Sequence, residues 1–330
     1  MIKVENLVKR FGDKMAVNDI SFTVEDGEIV GFLGPNGAGK STTLNIMTGY
    51  LSSTSGSASI DGFDILESPT EAKTRIGFLP EQPPLYLDMT VEEYLNFIYD
   101  LKKCTLNRKK HIMEICDVVK ISDVYKRIIR NLSKGYRQRV GIAQTLVGNP
   151  KVIIFDEPTI GLDPKQIIEI RNLIRMLGRD HTVILSTHIL SEVQSVCDRI
   201  IIINKGKIVA DQPTEDISKV LEGKRRYMMK ICGPQKNVMD LLKSKQGVTY
   251  VETMNEHELD STAYLIESEP GVDIRKTLFY ALAENNYPII GIEAMGVSLE
   301  DIFISLVDQT PQAKTKKKRV KSDPAKEEVQ

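Results

Sequence analysis

The sequence predicts an α/β fold with a largely parallel sheet, followed by a smaller α+β unit. The main observation is a set of short apolar runs, each closed by polar residues or a glycine-rich turn: residues 28–33, 152–155 and 183–185. Interior strands of parallel sheets are buried on both faces and therefore have this uninterrupted apolar character. Amphipathic stretches separate the runs, which is typical of strands that alternate with helices.

The remaining elements of the first unit follow from the same patterns. Residues 140–147 form an amphipathic helical stretch, and residues 200–203 and 208–210 flank Asn-Lys-Gly-Lys. A glycine between two apolar runs eases a tight turn, so we expect a hairpin there. We assign the first domain to residues 1–221, with a helical subdomain at about residues 83–150.

A second unit begins after the charged stretch at residues 222–226. Its predicted elements are a strand, a helix, two strands, a helix and a strand, at residues 227–232, 236–244, 248–252, 264–267, 272–286 and 288–293. This βαββαβ order predicts a ferredoxin-like α+β domain at residues 222–308. A last helix is expected at residues 299–307, with Ser298 in position to cap it.

Residues 309–330 are rich in Lys, Pro and Gln and have no apolar periodicity. We interpret them as a disordered basic tail, in which the charged run at residues 314–319 is solvated. Contact of this run with anionic lipid or RNA is the alternative interpretation.

Composition limits the classes of function. The 330 residues carry a formal net charge of −1, which gives no overall attraction to nucleic acid or to an anionic membrane surface. The four cysteines are far apart in the sequence and lack the spacing of metal ligands. We therefore expect them to be free thiols in a reducing cytosol. No apolar run approaches the ~18 residues of a membrane span. We therefore expect a cytoplasmic protein, which another chain must hold at the membrane if it works there.

A glycine-rich loop between an apolar strand and a helix supplies the first chemical motif. It matches G-x-x-x-x-G-K-[ST] and consists of Gly34, Pro35, Asn36, Gly37, Ala38, Gly39, Lys40 and Ser41. The glycines let successive backbone N–H groups converge on one anion, and the following helix adds its positive dipole end. Lys40 supplies a charge for the β- and γ-phosphates, Ser41 a ligand for Mg²⁺, and Thr42 a further donor. The alternative is a glycine-rich turn with an incidental lysine, but the strand–loop–helix context favours nucleotide binding.

Two adjacent carboxylates follow the apolar run at residues 152–155. Asp156 can hold Mg²⁺ through water, and Glu157 can orient or deprotonate the water that attacks the phosphate. A strand that ends in a polar turn at Pro158 is the simpler explanation. Downstream of a phosphate-binding loop, however, the pair indicates hydrolysis.

A second anion site is indicated by Ser133 and Gly135, at the start of the amphipathic stretch. Ser133 is a good helix N-cap, which is its simpler explanation, but a cap does not require Gly135. A hydroxyl, a glycine N–H and a helix N-terminus together attract an anion. Two phosphate-seeking loops so far apart in one chain predict a dimer in which each ATP lies between the first loop of one subunit and the second loop of its partner.

The order of these segments resembles that of the ATP-binding subunits of ABC transporters. The signature loop of that family, Leu-Ser-Gly-Gly-Gln-x-Gln-Arg, is matched here at Leu132, Ser133, Gly135, Gln138 and Arg139, with departures at Lys134 and Tyr136. The resemblance covers about residues 1–216. It implies a P-loop NTPase fold of the ABC type that hydrolyses ATP with Mg²⁺.

Three further positions follow from the resemblance. Phe11 corresponds to the aromatic residue that stacks on adenine, and Asp163 lies in the loop that couples the two sites of the dimer. His188 corresponds to the switch histidine that contacts the γ-phosphate. Each has a simpler interpretation: Phe11 as core, Asp163 as a helix cap, and His188 as a hydrogen-bonded histidine at a strand end.

One position departs from the family. Relatives have glutamine after the strand that corresponds to residues 76–79, where it touches Mg²⁺ and relays to the membrane subunit. Here this position is Glu81, with Gln82 beside it. A carboxylate can ligate Mg²⁺ but repels the γ-phosphate. Both residues are candidates, and Glu81 is preferred.

The resemblance also implies partners. These are membrane-spanning permease subunits and either a second copy of this chain or a related ATPase subunit. Leu85, Tyr86 and Tyr94 are candidates for the permease interface, with ordinary packing as the alternative. The motif at residues 298–303 resembles the closing motif of bacterial export-type subunits with a small C-terminal domain. We expect that domain to assist dimer contact or regulation.

We therefore predict the ATPase subunit of a bacterial export-type ABC transporter, peripheral on the inner face of the cell membrane, with no nucleic-acid partner. One alternative is a soluble ABC-type ATPase that acts on nucleic acid or ribosomes, which only the basic tail favours. Another is a P-loop kinase, which has no use for the loop at residues 132–139 or for a switch histidine.

Overall fold

The computed structural model describes residues 1–216, 226–258, 260–269 and 271–295. The strands of the first range are β1 (Ile2–Phe11), β2 (Lys14–Val24), β3 (Ile29–Leu33), β4 (Ser55–Ile60), β5 (Phe63–Asp64), β6 (Ile76–Leu79), β7 (Val152–Asp156), β8 (Thr182–Thr187), β9 (Arg199–Asn204) and β10 (Lys207–Pro213). Its helices are α1 (Lys40–Met47), α2 (Pro69–Thr74), α3 (Val91–Leu101), α4 (Arg108–Val119), α5 (Lys134–Leu146), α6 (Pro164–Leu177) and α7 (Leu190–Val196).

The central sheet has the strand order β10-β9-β3-β8-β7-β6. β9, β3, β8, β7 and β6 run parallel, and β10 pairs with β9 as an antiparallel edge hairpin. The predicted α/β class, the buried parallel strands and the hairpin are confirmed. Because parallel strands end at the same edge of a sheet, the residues that follow β3, β6, β7 and β8 come together there.

A second, antiparallel sheet, β2-β1-β4-β5, covers one face of the central sheet. Alternate residues of β3 show how the two faces are divided, since successive side chains of a strand point to opposite sides. Val30 and Phe32 pack with the antiparallel sheet, whereas Ile29 and Leu33 pack with the helices. The strand is therefore buried on both faces, which explains its continuous apolar sequence.

Three helices, α3, α4 and α5, lie between β6 and β7 in the chain. Thr90 and Glu93 form a capping box at the start of α3. Tyr94 was a candidate for the permease interface, with ordinary packing as the alternative, and its fully buried side chain favours packing. Tyr94 lies on the same face of α3 as Val91 and Leu95, and that face packs into the core.

The second unit contains β11 (Arg226–Cys232), α8 (Gln235–Lys243), β12 (Val248–Glu258), β13 (Ser261–Ser268), α9 (Arg275–Glu284) and β14 (Ile289–Met295). Its strands pair antiparallel in the order β12-β13-β11-β14. α9 is shorter than predicted, because Asp273 accepts the amide of Arg275 and Asn286 adopts a left-handed φ of 58°. The order of elements is as predicted, and the ferredoxin-like assignment stays a prediction.

Several predicted features lie outside the described residues: the boundary at residues 221 and 222, the helix at residues 299–307 with Ser298, and the tail at residues 309–330. The domain limits therefore stay predictions. Among the helices that are described, none combines the length and the apolar character needed to cross a membrane.

Candidate nucleotide-binding site

A cavity of about 420 Å³ lies where β3, β6, β7 and β8 end. It brings together most of the predicted site residues: Phe11, Pro35, Asn36, Gly37, Gly39, Lys40, Ser41, Thr42, Glu81, Glu157 and His188. Lys14, Ala16 and Ile160 also line it, and the sequence motifs did not indicate these three residues.

The glycine-rich loop is shaped by its own backbone. Gly39 precedes α1 with φ 113°, and a Cβ atom there would lie 2.6 Å from the carbonyl oxygen of Ala16, so only glycine fits. The Ala38 amide donates to the Pro35 carbonyl at 3.1 Å, and the Ala38 carbonyl accepts from Gly206 at 2.8 Å. These contacts hold the loop in a closed curve that leads into the N-terminus of α1.

Lys40 extends back over this loop. Its ammonium donates to the Gly34 carbonyl at 2.7 Å and lies 3.7 Å from Glu157 Oε1. Burial lowers the pKa of Lys40, and the carboxylates of Glu157, Asp156 and Glu81 oppose this shift. Lys40 therefore lies among three acidic side chains, whose negative charge a divalent metal would offset.

Glu157, which follows Asp156 at the end of β7, is held through both its backbone and its carboxylate. Glu157 itself has a left-handed φ of 50°, which is uncommon for a residue with a side chain. Its amide donates to the Ser186 carbonyl at 2.9 Å, and its carboxylate lies 2.9 Å from His188 Nδ1. Glu157 and His188 are thus in direct contact, as expected of a water-activating carboxylate beside a switch histidine.

The donor groups fit Mg²⁺, which prefers oxygen ligands. Ser41 and Glu81 line the cavity, and Asp156 is buried next to Glu157. The Ser186 hydroxyl donates to Asp156 Oδ1 at 2.7 Å and fixes the orientation of that carboxylate. These three oxygen-bearing residues would hold the ion together with phosphate oxygens.

Glu81 and Gln82 differ in their surroundings. Glu81 lines the cavity that contains Lys40, whereas Gln82 does not line that cavity and instead lines a neighbouring one with Lys134 and Arg137. This placement favours Glu81 for the role that relatives give to glutamine. The assignment stays a prediction, as do the roles of the other site residues.

The second loop lies apart from the first. Ser133 and Gly135 line a separate cavity of about 270 Å³ and do not line the one around Lys40. Ser133 caps α5 by accepting the Tyr136 amide at 3.4 Å, and Gly135 lies against the side chain of Gln166. Asp163 caps α6 by accepting the Gln166 amide at 2.9 Å and also lies outside the Lys40 cavity.

Sequence motifs missed a buried carboxylate, Glu192 on α7. Only 1% of its surface is exposed, and it accepts hydrogen bonds from Thr159 and Thr187. A sequence feature that could have indicated it is its position beside Val193, on the apolar face of a helix that begins two residues after His188. A carboxylate on an apolar stripe needs buried partners, because an unpaired buried charge is costly.

Comparison with known proteins identifies the family. The "ABC transporter" family matches residues 17–160. The bacitracin transport ATP-binding protein of Bacillus licheniformis is 31% identical over 309 residues, which cover 93% of this chain and 97% of that protein. The chain belongs to the family of ABC transporter ATP-binding proteins. The linearmycin resistance ATP-binding protein of Bacillus subtilis is similar over 94% of this chain and 99% of its own length, at 30% identity.

The structure is also similar to solved structures of ABC ATP-binding cassettes. A dimeric post-hydrolysis cassette bound to ADP and Pi has a TM-score of 0.59 at 28% identity and covers 65% of this chain and 99% of that chain. An ABC transporter ATP-binding protein of this family binds ATP with Mg²⁺ and hydrolyses it. The predictions of the ABC-type ATPase fold, of the cofactor and of ATPase activity are confirmed, and transport is favoured over the nucleic-acid alternative.

Proposed function

We propose that this ABC transporter ATP-binding protein drives export by closing as a dimer around two ATP–Mg units. The second subunit is another copy of the chain or a related ATPase subunit. The observation that supports this is the separation of the two phosphate-seeking loops. Lys40 and Ser133 line different cavities of one chain, so a site that uses both needs a second subunit.

Within each site, the roles follow from position and chemistry. Lys40 and the loop amides stabilise charge on the β- and γ-phosphates, and Phe11 stacks on adenine. Glu157 orients and deprotonates the attacking water, and His188 contacts both Glu157 and the γ-phosphate. Mg²⁺, held by Ser41, Asp156 and Glu81, supplies positive charge against the phosphates when it is bound.

The membrane partners are permease subunits that hold the protein on the inner face of the cell membrane. Tyr86 and Phe97 support a docking face on the helical region, because they are in edge-to-face contact and Tyr86 is 52% exposed. The export direction is supported by relatives named for linearmycin resistance and for lipopolysaccharide export. We assign the second unit a role in dimer contact or regulation.

The first test replaces Glu157 with Gln. The variant keeps the size and one accepting oxygen of the side chain but cannot take a proton, so we expect ATP binding close to wild type. Turnover should fall by about 100-fold or more, the usual contribution of general base catalysis. Binding is measured with a fluorescent ATP analogue and turnover by phosphate release. Hydrolysis at the wild-type rate in this variant would refute the role of Glu157.

The second test identifies the partner. Affinity-tagged chain is isolated from detergent-solubilised native cells in the presence of ATP and Mg²⁺. Recovery of an integral membrane protein with about six apolar spans supports the proposal. Recovery of RNA or DNA without any membrane protein contradicts it and favours the nucleic-acid alternative.

A further inference from the structure

Glu192 connects the segment that follows Glu157 with the segment that precedes His188. Its Oε1 accepts from the Thr159 hydroxyl at 2.7 Å and lies 3.6 Å from Arg171 Nη2. Its Oε2 accepts from the Thr187 hydroxyl at 3.0 Å. Thr159 and Thr187 are themselves buried, and they lie two residues after Glu157 and one before His188. One carboxylate therefore holds the loop that follows Glu157 and the strand end that precedes His188.

The Thr187 hydroxyl has a choice of acceptors. Its oxygen already accepts the Ile189 amide at 3.1 Å, and its single proton is within reach of Glu192 Oε2 at 3.0 Å and Glu157 Oε2 at 3.4 Å. The shorter distance assigns the proton to Glu192. Glu157 Oε2, which His188 Nδ1 also approaches at 3.0 Å, then keeps a second accepting position for a water molecule, since each hydroxyl has only one proton to donate.

We propose that Glu192 is a positioning residue for ATP hydrolysis, which anchors the Thr187 hydroxyl at the strand end before His188 and fixes Thr159 in the loop that leads to Asp163. Glu192 does not itself touch nucleotide, because it does not line the Lys40 cavity. It acts through the segments that carry Glu157, His188 and Asp163. The inference rests on the proposed role of Glu157, which the Glu157→Gln variant tests separately through ATP turnover.

The charged groups that face Glu157 define what a change at Glu192 can alter. Lys40 from α1 and His188 contact Glu157, and the carboxylates of Asp156 from β7 and Glu81 from the segment after β6 act together with Glu157 on Lys40. None of these contacts involves Glu192 directly. A change at Glu192 that lowers turnover therefore has to reach Glu157 through Thr187 or Thr159.

The test is a double-mutant cycle between Glu192→Gln and Thr187→Val in the full-length protein with ATP and Mg²⁺. The amide that Glu192→Gln introduces has a single accepting oxygen in place of the two that Thr159 and Thr187 use, so it weakens the link to Thr187 that Thr187→Val also removes. We expect each single variant to lower kcat by about tenfold with KM for ATP within about twofold, as for residues that support a catalytic group. We expect the double variant to lose about tenfold as well, because both changes break one link.

Two controls separate this role from general destabilisation. Glu28→Gln also removes a partly buried carboxylate paired with an arginine, Arg199, at the opposite end of β3, and should leave kcat unchanged. Thr187→Ser keeps the hydroxyl and should retain kcat within about twofold of wild type.

Three results would overturn the proposal. The first is a double variant that loses about 100-fold, which would mean independent effects. The second is a Thr187→Ser variant as impaired as Thr187→Val. The third is a fall in kcat for Glu192→Gln accompanied by an equal loss of ATP affinity and a lower melting temperature. If Glu192→Gln fails to fold, the comparison of Thr187→Ser with Thr187→Val still tests the proposal.

Discussion

At the scale of single residues, Phe11 illustrates how position changes the interpretation of a side chain. The sequence left it open whether this residue is core or a base-stacking platform. It lies at the end of β1, lines the Lys40 cavity and is 48% exposed, with the Lys9 ammonium 5.0 Å from the ring centroid. A core role is therefore wrong, and an exposed aromatic face beside a cation suits a stacked purine.

Replacement of Phe11 by Ala should weaken ATP binding by about 1–3 kcal/mol, the usual contribution of base–aromatic stacking. Phe11→Tyr should retain affinity, since the ring is kept. Phe279→Ala removes an equally exposed aromatic ring on the second unit and serves as the control. Calorimetric titration of each variant with ATP measures the effect. An unchanged affinity in Phe11→Ala would exclude stacking.

Residues with chemical motifs were predictable from sequence, but their supporting contacts were not. The spacing around Lys40 and Glu157 identified them because a phosphate loop and a strand-end carboxylate have characteristic neighbours. Glu192 has no such spacing, and one of its two hydroxyl partners, Thr159, lies 33 residues before it in the chain. Contacts of this kind exist only after the sheet has brought the strand ends together.

At the scale of elements, helix α5 shows how one segment links two parts of the molecule. Its N-terminus carries Ser133 and Gly135, and its C-terminal carbonyls accept from the Lys102 ammonium: those of Gln144 and Thr145 at 3.2 Å and of Val147 at 2.8 Å. A cation at this end satisfies carbonyls that lack helical partners and complements the helix dipole. Lys102 thus ties α5 to the end of α3.

Burial lowers the pKa of Lys102 from 10.5 to about 8, which gives a pH-dependent prediction. Because the folded-state pKa is the lower one, the unfolded chain binds more protons between about pH 8 and 10.5, so the contribution of Lys102 to stability rises with pH in that window. Urea unfolding of wild type and Lys102→Met at several pH values measures it. As the pH rises, the free energy of unfolding of wild type should increase relative to that of Lys102→Met. A difference that does not change with pH would contradict the assignment.

The elements themselves were largely predictable, and their pairing was not. Continuous apolar runs identified β3, β7 and β8, because strands buried on both faces have no polar positions. The antiparallel pairing of β1 with β4 depends on residues about fifty positions apart, and no local pattern encodes it. The sequence left Tyr94 open between interface and packing, and the helical face that it shares with Val91 decides for packing.

At the scale of the whole molecule, the two anion-binding loops lie in separate cavities of one chain. One chain has a glycine-rich loop with Lys40 in one cavity and Ser133 with Gly135 in another. Gln138 on α5 donates to the Pro158 carbonyl at 2.8 Å. This contact fixes α5 of each chain to the segment that follows Glu157 in the same chain. In a two-fold dimer, each subunit would therefore sense the partner's nucleotide through α5 and its own through Lys40.

The most direct test of this arrangement is complementation between two inactive variants. Lys40→Met disables the first loop, and Ser133→Arg, at an exposed position, obstructs the second. Each variant alone should lack ATPase activity while it remains folded. In a mixed dimer one site carries both changes and the other carries neither, so an equimolar mixture should recover up to about a quarter of wild-type activity. If the mixture stays inactive although mass measurement shows mixed dimers, or if Ser133→Arg alone retains full activity, the composite site is contradicted.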